Sequence, residues 1–593
     1  MKRHRLIISI LLLITLTLCL LIANFVDVCP KVVWSKEKSF GEPIPSQNKF
    51  EKRYVFFRGN MNNQADVNRL VSIMKRASAV GYNGFVIGER GSWRNIEKQS
   101  RTYFRNFARI RSEASKLGVT IIPVAFDQWA PTRKDRNLAE AFPVIGTKFV
   151  VKGKFAYLEA DLPVDLQNSG FEKSIGHQPT KWIVDQPGKI TFIDTVVKHS
   201  GRASIKIKDP GVGDPRHGHA RIRQKVSVAP FRAYELSLWI KTRNFNKPND
   251  VKIYISGEKG DDKLYSRAHY AREHINTTQD WEKYTINFNS LSNKKITIWL
   301  GAWSKEGRGE VWFDDVTLKE VGLKKMVRRS SIPITVSSWD GKRTYDEGSD
   351  YLLDKQKLII RPNSSIPEGQ ALRVTWYQLA DVVYNTPEAS ACYEKFFDIN
   401  MDIAKRLNNF LSPPGFMMNY DEWRVANWDP SCRTATGGEY MARAIRISEQ
   451  RLRSINPNWD IYVWNDMFDP YHNAINNYWM VKGTVAKSWL GVSSNIIIMN
   501  WGSASAKDKV ASMRFWHSRG NRQVIAGYYE SVGNVRKWLD ALDAVEVQGV
   551  RGVIGFMYTT WRGNYHDLEE VANLIQKRGR WGSDLAFPKN SKQ

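Results

Sequence analysis

Eight short apolar segments alternate with amphipathic helical ones along this chain of 593 residues, and that alternation constrains its fold more than any other feature. The segments are Tyr54–Phe57, Gly84–Ile87, Thr120–Phe126, Phe416–Met418, Ile461–Trp464, Ile496–Met499, Gln523–Ala526 and Val553–Met557. Apolar residues at helical spacing occupy Asp66–Val80, Phe104–Leu117, Gly437–Ile455, Ala506–Ser518 and Val535–Glu546 between them. Eight strands separated by helices predict an α/β fold, a (β/α)8 TIM barrel whose working face is the carboxyl end of its strands.

The alternation breaks off between the third and fourth strands. From Asp161 to about Lys325 the chain shows short alternating segments separated by Gly, Pro, Asn and Asp, which predicts a β-sandwich. Thr147–Leu158 and Pro333–Leu379 also alternate, with a hairpin signal at Asp340-Gly341, and are expected to pair as a small β module around the sandwich. The expected organisation is an N-terminal segment at 1–27, a linker at 28–52 and a barrel from 53–142 plus 381–582. The small module takes 143–160 plus 326–380, and the jelly-roll sandwich 161–325.

Lys2, Arg3 and Arg5 precede a charge-free apolar stretch from Leu6 to Phe25, long enough to span a bilayer. An uncleaved signal anchor is expected, with a cleaved signal peptide as the alternative; either exports the body, to a periplasmic or extracellular membrane face or into the medium. Lys and Arg total 88 against 60 Asp and Glu, an excess that suits an anionic envelope or polysaccharide. No nucleic-acid module signature is present, so no nucleic-acid partner is expected. Cys392 and Cys432 flank the fourth strand; two unpaired thiols are the favoured expectation and a disulfide the alternative. No Cys/His spacing suggests a metal site.

The fourth strand runs directly into Asp421-Glu422. Carboxyls at the end of a buried strand are costly unless binding or chemistry uses them. Glycosidic cleavage needs a proton donor for the leaving oxygen and a group that stabilises positive charge at the anomeric carbon. Two close carboxyls supply both, because each raises the proton affinity of the other. The 22 Trp, 23 Tyr and 26 Phe supply faces on which sugar rings stack.

Phrases in order along the barrel resemble glycoside hydrolase family 20, the β-N-acetylhexosaminidases. They are Arg58-Gly59, Tyr82-Asn83 with Phe85, Asp421-Glu422 followed by Trp428 and Pro430, Tyr462 to Asp469, Gly527-Tyr528-Tyr529, and Trp561. The resemblance implies substrate-assisted retaining hydrolysis of a β-linked N-acetylhexosamine. The sugar's acetamido oxygen attacks the anomeric carbon, Glu422 protonates the leaving oxygen, and Asp421 and Tyr529 hold the acetamido group. Arg58 then binds outer hydroxyls, Trp464, Trp501 and Trp561 box the ring, and Tyr528 and Glu530 line the pocket; Asp466 caps the loop after the fifth strand or reaches into the pocket to bind substrate. The chain departs from the family at Met417–Tyr420, at Ile87–Trp93 and at Arg562-Gly563, where a hydroxyl-binding carboxylate is expected.

Between the third and fourth strands, Asn168–Glu172, Gln224–Val228, Tyr234–Lys241 and Gly309–Leu318 resemble carbohydrate-binding modules of families 4 and 22. That resemblance implies a jelly-roll and a structural calcium ion at Asp314 and Asp315, with turn closure as the alternative reading of the two. No cofactor is otherwise required. Two rival functions remain: a retaining glycosidase with Glu422 as acid/base and Glu530 as covalent nucleophile, and a non-catalytic envelope protein that binds sugars.

Overall fold

The computed structural model describes residues 49–89, 93–161, 163–213, 219–258, 263–266, 275–382, 387–502 and 505–582. Eight parallel strands close a barrel: β1 Lys52–Gly59, β2 Gly84–Glu89, β3 Thr120–Asp127, β4 Gly415–Asn419, β5 Asp460–Trp464, β6 Ile496–Asn500, β7 Gln523–Ala526 and β8 Val553–Tyr558. Strand β1 pairs with β2 on one side and with β8 on the other, which leaves no edge.

Period-two alternation sorts the side chains. Tyr54 and Phe56 of β1, Tyr462 of β5 and Ile497 and Met499 of β6 fill the barrel interior. Their neighbours Val55, Phe57, Ile461, Val463, Ile496 and Ile498 face the surrounding helices. Those helices begin where a side chain catches a free backbone N–H: Asn63, Ser100, Thr436, Ser505 and Ser531 each cap one. Gly415 opens β4 because a Cβ there would run into the Asp460 carbonyl of β5.

Between β3 and β4 lie three larger sheets and a two-stranded one that pairs Ser174–Ile175 with Gln178–Pro179. Two five-stranded antiparallel sheets enclose one apolar core that includes Trp182, Leu236, Leu238, Ile253, Ile298 and Phe313, so this part is a β-sandwich. A seven-stranded sheet brings together both flanks of the sandwich: Ala141–Lys152 pairs with Ala371–Leu379, and Phe155–Leu158 with Lys357–Ile360. Its hairpin pairs Val336 with Tyr345, and Gly341 supplies the left-handed residue, φ +73°, that the turn demands.

The sandwich core continues onto loops at the carboxyl end of the barrel. Val425 and Met480, from the loops after β4 and β5, belong to it, and their short strands Val425–Ala426 and Met480–Val481 pair in parallel. The Lys263 ammonium of the sandwich lies 4.0 Å from the Trp479 ring centroid. The sandwich is therefore seated on the face where a barrel does chemistry.

The expectation of two free thiols is corrected: Cys392 and Cys432 form a disulfide, Cα atoms 4.9 Å apart. Cys392 precedes the helix Glu394–Leu411, and Cys432 ends the turn after β4. The helix folds back beside β3 and the helix Gly437–Ile455, so ends separated by 40 residues meet. Closing a loop of that length is worth roughly 4 kcal/mol in the chain-entropy account.

The apolar stretch Leu6–Phe25 and most of the linker lie outside the described residues. Among the described residues no helix is long and apolar enough to cross a membrane.

Candidate functional site

The loops after β4 and β5 bring three carboxyls together. The chain turns at Glu422, whose φ of +42° is left-handed and strained for a residue with a side chain. Asp466 holds that turn, its Oδ2 accepting the Glu422 N–H at 2.8 Å and the Asn473 amide at 2.9 Å. The Trp501 indole N–H reaches Asp466 Oδ1 at 3.3 Å. Asp466 is fully buried and belongs to the frame that holds the Glu422 turn.

Burial, with the nearby charges of Asp466 and Glu422, pushes the Asp421 carboxyl up to about 7; Arg424 and Arg58 oppose this weakly. Its Oδ1 is buried with no hydrogen-bond partner among the described residues. Burial likewise carries Asp466 to about 7, against its hydrogen bond from the Glu422 N–H. Glu422 differs. Its side chain is 39% exposed, and its Oε2 sits 2.6 Å from Arg424 Nη2, whose side chain is 8% exposed. The two form an ion pair at the edge of the site.

Around these carboxyls stands an aromatic cluster. Trp501 stacks on Tyr529 with centroids 6.2 Å apart, and Tyr529 is 47% exposed. Trp464 contacts Trp501 at 6.2 Å and Trp561 at 5.9 Å, and the Arg58 guanidinium lies 5.4 Å from the Trp561 ring. Trp501, Tyr529, Trp561 and Arg58 thus form the accessible side of the site.

Three sequence-based assignments are corrected. Trp464 is completely buried, with its indole N–H on Asn419 Oδ1 at 3.2 Å, so it is the floor beneath the other rings and not a wall. Tyr528 points away: its hydroxyl donates to Asp567 at 2.7 Å and its ring stacks on Tyr558 at 3.9 Å. Glu530 closes the loop after β8, its Oε1 accepting from the Thr560 hydroxyl and from the Trp561 and Arg562 N–H groups at 2.6–2.9 Å. Its Oε2 is buried with no hydrogen-bond partner among the described residues. The Oε1 oxygen of Glu530 is thus engaged in closing the loop. Left-handed backbone at both Tyr529 and Glu530, φ +42° and +64°, turns these side chains off simple alternation.

The sequence reading missed Arg424 as a site residue, although its place two positions after Glu422 was a signal. It also missed two buried carboxyls that clamp the loop after β4. Glu388 accepts the N–H groups of Arg424, at 3.0 Å, and Val425; Glu140 accepts the Trp428 N–H at 3.0 Å and the Tyr440 hydroxyl at 3.2 Å. Burial pushes Glu388 up to about 8 and Glu140 to about 7. Acids held above their unfolded values bind protons more tightly when folded. Their stabilisation is complete below about 4.5 and is lost as pH rises through 7 to 8. Thermal denaturation should therefore show a melting temperature that falls between about pH 4.5 and pH 8 and levels off above that, and Glu388→Gln should flatten that fall. An unchanged slope would contradict the assignment.

In the sandwich, Asp314 commits its carboxylate to the His199, Ser200 and Asp315 N–H groups, and Asp315 meets the His199 ring at 2.6 Å and the Ser200 hydroxyl at 2.8 Å. Among the described residues no three His, Cys, Asp or Glu side chains converge to hold an ion. These hydrogen bonds close the turn that carries Asp314 and Asp315.

A family model described as a carbohydrate binding domain matches residues 166–305. That segment, within the β-sandwich, is therefore similar to a carbohydrate-binding domain. Similar solved structures include one described as "CBM4 structure and function", at 16% identity over 26% of this chain and 99% of that one, TM-score 0.20. Another is the CBM22-1 xylan-binding domain from Paenibacillus barcinonensis Xyn10C, at 14% identity over 27% and 94%, TM-score 0.18. An arabinose-bound GH51 α-L-arabinofuranosidase aligns over 70% of this chain and 72% of its own at 8% identity, TM-score 0.21. No curated protein matches the chain.

Proposed function

We propose that the barrel is a glycoside hydrolase that cleaves a β-linked N-acetylhexosamine with the help of the sugar's own acetamido group, in an exported protein. One observation carries this reading: a half-open Glu422 within a group of three carboxyls, beside a wall of Trp501, Tyr529 and Trp561. The similarity of residues 166–305 to a carbohydrate-binding domain supports a saccharide substrate.

The electrostatics suggest where the proton resides. Burial raises both Asp421 and Asp466 to about 7, so near neutral pH this pair holds a proton before substrate binds, while the Glu422 side chain is ion-paired with Arg424. An acetamido N–H placed on Asp421 favours its ionised form, and the proton then passes to Glu422. Glu422 is thereby ready to protonate the leaving oxygen, and the newly charged Asp421 balances the oxazolinium. After departure the ionised Glu422, paired again with Arg424, takes a proton from the attacking water.

A pH profile tests this sharing. kcat/KM on a chromogenic N-acetyl-β-glucosaminide should fall above about pH 7, by about tenfold per pH unit, as the group loses its last proton. In Asp421→Asn the limb should move, because the carboxyl that burial raises to about 7 is then absent. An unmoved limb would refute the shared proton.

A further inference from the structure

A cleft of about 620 Å³ opens where the sandwich meets the rim of the barrel. Loop 246–250 and residues Trp303, Lys305 and Glu306 line it from the sandwich, and Arg562 from the barrel. Its volume lies within the range of ligand sites. Arg562 directly follows Trp561 of the candidate site, so one wall of the cleft continues the pocket rim.

The lining suits a sugar chain. Trp303 offers a half-buried ring, and amides, a carboxylate and cations stand around it. The loops are braced before any ligand arrives. Asn246 accepts the Arg308 N–H at 2.8 Å and donates to the Glu306 carbonyl at 3.3 Å, and Lys247 pairs with Glu306 at 2.8 Å. That pair cancels two charges. Among the described residues Lys305 and Arg562 have no ion-pair partner, so they leave the cleft positive, opposed only by Asp250.

We infer that this cleft is a second saccharide subsite, which holds a chain extending from the barrel pocket and selects chains bearing carboxylate or sulfate groups. The inference rests on the proposed pocket and names the class of its substrate: an acidic polysaccharide containing amino sugars, not a free disaccharide.

Calorimetry on the full chain carrying Glu422→Gln tests it without turnover. The ligands are N-acetylglucosamine, a chitin oligosaccharide and a hyaluronan oligosaccharide of equal length. The acidic chain should bind at least about tenfold more tightly than the monosaccharide and more tightly than the neutral chain. Lys305→Ala with Arg562→Ala should remove most of that advantage, although only two of 88 cations are lost. Equal affinity for the acidic chain and the monosaccharide overturns the inference, as does an advantage untouched by the double variant. A neutral chain bound as tightly as the acidic one overturns the acidic selection. If the acidic chain binds as expected but the unmodified protein cleaves nothing, the hydrolase reading fails and the cleft stands.

Discussion

Glu422→Gln should lower kcat on a chromogenic N-acetyl-β-glucosaminide by about 10²- to 10⁴-fold, the usual contribution of a positioned acid/base. KM should change little. The substitution keeps the backbone N–H that Asp466 holds at 2.8 Å, so the loop stays in place. Only the proton transfer and the Arg424 ion pair at 2.6 Å are lost. Asp421→Ala should be damaging too, whereas Glu530→Gln should act mainly through the loop after β8 that Glu530 closes. If Glu530→Gln instead abolished turnover at unchanged stability, the covalent route would gain support.

Arg329→Met should cost roughly 3–5 kcal/mol of stability, measured by urea denaturation, the usual penalty for stranding one partner of a buried ion pair. The Arg329 and Asp429 side chains are 8% and 0% exposed and approach to 2.5 Å. Arg329 also donates to the Asn137 and Ala139 carbonyls, at 2.6 and 2.7 Å. Burial alone would raise the Asp429 carboxyl; Arg329 and Ser431 outweigh it and hold it below the usual value. Without the guanidinium, the barrel loop after β4 keeps a buried charge that nothing balances. Adding Asp429→Asn should restore part of the loss by neutralising that charge. A total stability of about 5–15 kcal/mol makes the single change severe. It should also lower turnover, because Asp429 lies on the same loop as Glu422.

The barrel strands were legible because each is a brief apolar run bounded by helix caps such as Thr436 and Ser505, so local chemistry and the closed sheet agree. Asp421 and Glu422 were legible for a related reason: packing gives no return for adjacent acids after Met417-Met418. Side-chain direction was not. Tyr528, Tyr529 and Glu530 follow a strand on which alternation holds, but left-handed backbone at the last two breaks it. Trp464 reads as a pocket wall by its place at the end of β5, yet the last inward position of a strand is equally the top of the barrel core. Contacts between remote segments were invisible. The Cys392–Cys432 bond, Lys263 over Trp479, and Glu388 beneath Arg424 each depend on how segments remote in sequence meet in space.

The most direct measurement compares release of one chromophore from an N-acetyl-β-glucosaminide and from the plain β-glucoside by the intact chain. Rapid release from the first, absence of release from the second, and loss of the first in Glu422→Gln are expected. Equal cleavage of both sugars would contradict acetamido assistance, and release from neither, under conditions where the folded protein binds saccharide, would contradict the hydrolase itself.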